Sequence, residues 1–149
     1  MASFRDTLQT RLTGDATLMA LLTGGVLDPA DLPQDGGGAG SVPRNTDGVT
    51  IKPFAIVRGG PDGSYQGEDR ILSAGAEFWE VYLYQDVGYG TIDQAVGRIK
   101  TLLHDTYITA DDRAIAHVLY TFTSADLVAD ELGGCPMKLC RYQVIHIRK

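Results

Sequence analysis

The sequence predicts an α+β fold: an antiparallel β-sheet of about four strands with two helical segments packed on one face. Three observations predict it. Apolar residues recur at steps of three and four from Ser3 to Leu22 and again from Ile92 to Leu103, the spacing of helices that bury one face. They alternate instead over Ala74–Gln85, Ala114–Ala125 and Leu139–Arg148, the spacing of strands. The order is helix, strand, strand, helix, strand, strand, and the short links after the first strand and between the last two favour antiparallel hairpins. With 149 residues, 44% of them hydrophobic, the whole chain (1–149) reads as one domain able to bury a core without metals or disulfides.

The first segment carries Phe4, Leu8 and Leu12, then Leu18, Met19 and Leu22. Gly14 disfavours a helix interior and Asp15 can cap a new start, so two pieces are expected, roughly 2–13 and 15–22, ended by Gly24-Gly25. A Gly-rich loop of about residues 24–50 follows, its richest part at 34–40, with too little apolar content to offset its ordering cost. Phe54–Val57 is a short strand closed by Gly59-Gly60, and residues 60–70 read as a long polar hairpin tip. In the next strand, Glu77, Trp79, Val81 and Leu83 share one phase, assigned to the core, and Phe78, Glu80, Tyr82 and Tyr84 share the other. Both faces carry large apolar groups, so the second meets something other than water. Phe78, Tyr82 and Tyr84 are therefore candidate subunit-interface residues. Thr91-Ile92-Asp93-Gln94 has the pattern of a capping box at the start of the next helix, which should end near Asp105. Asp130 to Met137 is expected as the turn between the last two strands.

Little in the chain carries chemistry. Gly88-x-Gly90-x-x-Asp93 has Asp where a dinucleotide fingerprint needs Gly or Ala, so it reads as a glycine turn. His104, His117 and His146 lack metal-ligand spacing, and Asp28, Asp31 and Asp35 lack that of a calcium loop. Cys135 and Cys140 are too few for a disulfide scaffold and are expected as buried, reduced thiols of a chain that folds in a reducing cytoplasm. No catalytic residue, cofactor or metal site is nominated, and the expectation is that the chain is not an enzyme. The net charge of −6 argues against a protein that grips nucleic acid, which needs clustered Lys and Arg. No apolar run approaches the ~18–20 residues of a membrane-spanning helix, and the start lacks the layout of a signal peptide.

The run from Leu12-Thr13-Gly14-Asp15 to Thr23-Gly24-Gly25, then Pro53-Phe54-Ala55-Ile56-Val57, the strand Glu77–Tyr84, the helix Ile92–Leu103 and two closing strands resemble the tail-terminator and tail-completion proteins of long-tailed phages. The resemblance is one of order and length over nearly the whole chain, and it departs at residues 34–40 and 60–70. It implies a ring-forming subunit, hexameric, that caps the head-proximal end of the tail tube, ends tube polymerisation and offers a docking face to the head. The implied partners are copies of the same chain, the tail tube protein and a head-completion or connector protein. The implied location is the tail or neck of a virion assembled in the host cytoplasm. Genome DNA would pass through the ring without specific binding, and Asp62, Glu68 and Asp69 are candidates for the lumen lining. A head-closure or adaptor protein of the neck, and a ligand-binding α+β domain, are the alternatives.

Overall fold

The computed structural model describes residues 2–29, 42–64 and 74–148. The Gly-rich stretch 34–40 and the outer part of the polar tip, 65–70, lie outside the described residues. Helices α1 (Phe4–Thr13) and α2 (Ala16–Leu21) open the chain. The Ser3 hydroxyl accepts from the Asp6 N–H to start α1, and the Asp15 carboxylate accepts from Leu18 N–H to start α2. Strand β1 (Val26–Leu27) leads through the second described segment to β2 (Phe54–Ser64) and β3 (Ala74–Tyr84). Helix α3 (Gly90–Leu103), β4 (Thr106–Ala110), β5 (Arg113–Thr123), β6 (Leu127–Ala129), a 3-10 turn at Asp130–Leu132 and β7 (Cys135–Arg148) complete it.

These strands correct the expected fold class. The sheet has seven strands, not four, in the order β1-β2-β3-β7-β5-β4 with β6 on β7, and it curls as a half-barrel. It is mixed rather than antiparallel, because β1 runs parallel to β2, Val26 facing Ala55. Of the additional strands, β1 and β6 have two and three residues, too short to display a period of two, and β4 has five, of which only Ile108 and Ala110 point inward. Other boundaries shift too. The backbone of β2 continues past a bulge between Gly59 and Asp62 to Ser64, where a loop tip was expected. Strand β7 begins at Cys135, inside the expected turn, since Pro136 pairs with Val128 and its carbonyl accepts from Gln85 N–H. The Thr91 capping box does not form. Helix α3 starts two residues earlier, with Tyr89 at the N-cap position, and the Ile92 N–H is bonded by Gln85 Oε1 at 2.8 Å, from just after β3.

The main core lies between one face of the sheet and the helices. Phe4, Leu8 and Leu12 of α1 and Ile92, Ile99 and Leu103 of α3 pack there on Trp79, Val81, Leu83 and Tyr142. A smaller core sits on the opposite face at one end only, where Val42, Ile51 and Leu132 cover Phe54, Ile56 and Tyr84. Among the described residues, the sheet is therefore covered along one face and capped over only part of the other.

Candidate assembly surfaces

The part of the second face that no other described residue covers is built by strand register. Phe78 of β3 faces Gln143 of β7, which faces Leu119 of β5. One rung along, Ala76, Ile145 and His117 align, and Ile115 faces Ile147. None of Phe78, Ile115, Leu119, Ile145 and Ile147 belongs to either core. Across the next rung run Arg58, Glu80, Arg141 and Phe122. The Arg141 guanidinium lies 5.6 Å from the Phe78 ring and 5.1 Å from the Phe122 ring, and it reaches Glu80 at 3.5 Å. Arg58 stacks over Tyr82 at 5.1 Å. Such cation–π contacts hold charged heads flat on an aromatic surface instead of extended into water. At the β4 edge, the exposed Tyr107 ring stacks on His117 at 4.3 Å, and His117 bonds Asp105 at 2.7 Å.

Two bulges in β5 decide what this face presents. The register slips between Arg113 and Ile115 and again between Tyr120 and Phe122. The first slip turns Arg113 into the main core and leaves Ile115 outside; the second takes Phe122 out of the phase of Ala116, Val118 and Tyr120. Ile115 and Phe122 end up 41% and 39% exposed.

A second apolar surface lies at the end of the subunit where β3 meets α3. Three short segments converge there: Asp86 Oδ1 accepts from Ile51 N–H at 3.1 Å, and the Tyr89 hydroxyl donates to the Leu127 carbonyl at 2.7 Å. They bring together Val49, Val87, Leu127 and Val128, all exposed, Val87 by 78%. The same segments carry Asp47, Asp86, Asp126 and Asp130 against Arg44 and Lys52, and Lys138 of β7 pairs with Asp126 at 3.2 Å.

Beneath the main core, Arg113 donates two hydrogen bonds from one nitrogen to Glu77 at 3.0 and 3.1 Å. His146 Nε2 lies 3.9 Å from the same carboxylate, and burial, outweighing the Glu77 charge, lowers its pKa. The cluster is sealed under Phe4, whose ring lies 5.8 Å from Arg113, so it offers a structural brace rather than a reaction site. Among the described residues no three His, Cys, Asp or Glu side chains converge to hold a metal ion. In the glycine turn, Gly88 takes φ +75°, and Asp93 pairs with Lys138 at 2.5 Å. Cys135 and Cys140 are buried and form no disulfide, and burial raises the Cys140 pKa to about 11.

Of the residues singled out from sequence, Phe78 and Tyr82 are half-buried on the second face. Tyr84 is only 4% exposed and stacks on Phe54 at 4.8 Å inside the smaller core, so its ring is already covered by its own subunit. Asp62 lies in β2 opposite Glu77, while Glu68 and Asp69 lie outside the described residues. Sequence reasoning missed Arg58, Arg141, Val87 and Val128. The alternation of β7 contains a signal for Arg141, which shares the phase of Leu139 and Gln143; no periodicity marks Val87 or Val128.

No family model matches the chain, and no curated protein matches it. Among solved structures, it is similar to a chain of the virion of the native gene transfer agent (GTA) particle, with a TM-score of 0.64 and 14% identity over 97% of this chain and 95% of that one. At that identity the likeness defines a shared fold. No helix among the described residues is long and apolar enough to cross a membrane.

Proposed function

We propose that this chain is a structural, non-enzymatic subunit of a phage-like virion that works by assembling with copies of itself into a ring. The observation that carries the proposal is the full-length likeness to a virion chain, 97% of one covering 95% of the other. An apolar sheet face left open by the described residues on a chain of 16.1 kDa supports it, because a soluble monomer rarely leaves such a surface open. In the finer form of the proposal, the ring caps the head-proximal end of a tail tube, stops its growth and gives the head a docking face. Its neighbours would then be the tube protein below and a connector protein above, within a particle assembled in the host cytoplasm. The acidic balance of the subunit suits a ring through which DNA passes without sticking, since a basic lumen would hold phosphates.

The test is polymerisation of the tube protein of the same particle with and without this chain. Shorter tubes carrying the chain at one end only support a terminator. Binding to the connector with tube length unchanged moves the role to head closure, and binding to neither overturns the proposal.

A further inference from the structure

We infer that the ring contact joins two different surfaces of this chain: the end surface around Val87 and Val128 of one copy seats on the open sheet face around Ile115 and Phe122 of the next. This pairing rests on the self-assembly proposed above. Both surfaces are apolar at their centres and built from exposed aliphatic or aromatic side chains. Their charges lean in opposite directions. On the sheet face Arg141 is paired with Glu80, which leaves the exposed Arg58, and the segments of the end surface carry Asp47, Asp86, Asp126 and Asp130 against Arg44, Lys52 and the Lys138 that pairs with Asp126. Pairing the end surface with itself would set its carboxylates against their own copies, whereas the sheet face offers them Arg58. Unlike surfaces on one chain make a head-to-tail contact, which repeats from copy to copy and closes when the rotation allows. The pairing thus selects a second copy as the occupant of the open face and sets the direction of the ring.

A head-to-tail contact has a signature that a two-fold contact lacks. Val87→Ser with Val128→Ser damages only the end surface, and Ile115→Ser with Phe122→Ser damages only the sheet face. All four positions are exposed, so circular dichroism and the urea midpoint should stay near wild type. Each variant alone is expected to associate at least about a hundredfold more weakly than wild type, leaving monomers. Mixed in equal amounts, the two retain one good pair of surfaces between them. They are expected to form a heterodimer of two 16.1 kDa chains, and nothing larger, by native mass spectrometry. If the sheet-face variant loses its fold, Arg58→Glu, at an exposed position, probes the same surface and should weaken assembly. Wild-type assemblies that survive either variant, or a mixture that stays monomeric, overturn the pairing alone. A wild-type chain that stays monomeric, alone and with tail tubes added, overturns the pairing and the ring together.

Discussion

Replacing Arg113 by leucine removes the cation from a pair whose side chains are each 7% exposed. Glu77 would keep only His146, at 3.9 Å, as a polar neighbour among the contacts described above. Arg113 also contacts the Asp112 carboxylate at 3.0 Å, and Asp112 in turn accepts from the Phe4 N–H at 2.8 Å, so the brace ties β3 and β5 to the start of α1. Breaking a buried pair by removing one partner costs about 3–5 kcal/mol, and Arg113→Leu belongs at the upper end. Glu77→Leu belongs near the lower end, because the stranded guanidinium keeps Asp112, which is 47% exposed and open to water. Against a typical total of 5–15 kcal/mol, either loss is large. The double variant should cost less than either single one, since no charge is then left buried without its partner. Urea unfolding of all four proteins closes the cycle. Single variants within about 1 kcal/mol of wild type, or a double variant equal to the sum of the singles, would refute the brace.

Two glycines should respond in opposite directions. A Cβ on Gly24 would stand 2.9 Å from Phe54 Cβ and 3.0 Å from the Pro53 carbonyl oxygen, so Gly24→Ala should destabilise by about 1–3 kcal/mol. On Gly97, exposed within α3, it would meet nothing within 4 Å, so Gly97→Ala should stabilise by about 0.5–1 kcal/mol in the same urea assay. The Arg98 hydrogen bonds hold the Asp15 carboxyl at about 2, below its ordinary 3.8. A carboxylate lowered on folding contributes stability above its unfolded value that is lost as pH falls through its folded value, so this contribution should fade between about pH 4 and pH 2. Asp15→Asn should flatten that part of the stability–pH curve, and an unchanged slope would contradict the assignment. Cys140, with its pKa raised to about 11, should resist a thiol reagent at about pH 8 until the chain unfolds.

Where the sequence was legible, local physics and tertiary context agreed. Gly14-Asp15 marks the break between α1 and α2 because the signal needs only a cap and a glycine. The faces of β3 separate because eleven residues display their alternation in full. Legibility failed where a distant partner decides. Two-residue β1 is a strand only because Ala55 and Ile56 lie beside it. The start of α3 is bonded by Gln85 instead of Thr91, and nothing in a four-residue motif reveals a competitor from the turn after the preceding strand. The open face suffered most. Tyr84 shares the phase of Phe78 and Tyr82, yet Val42, Ile51 and Leu132 cover its end of the sheet. Phe122 carries a core phase until the bulge after Tyr120 moves it out. The end surface has no sequence signature, since it arises from three separate segments gathered by hydrogen bonds.

The central claim is that this chain functions by joining copies of itself, and the mass of the purified wild-type protein in solution tests it most directly. Sedimentation or native mass spectrometry should find a discrete closed oligomer. If the ring has six copies of the 16.1 kDa chain, its mass is about 97 kDa, unchanged as concentration rises. A monomer persisting to high micromolar concentration, alone and with tail tubes added, would contradict the account.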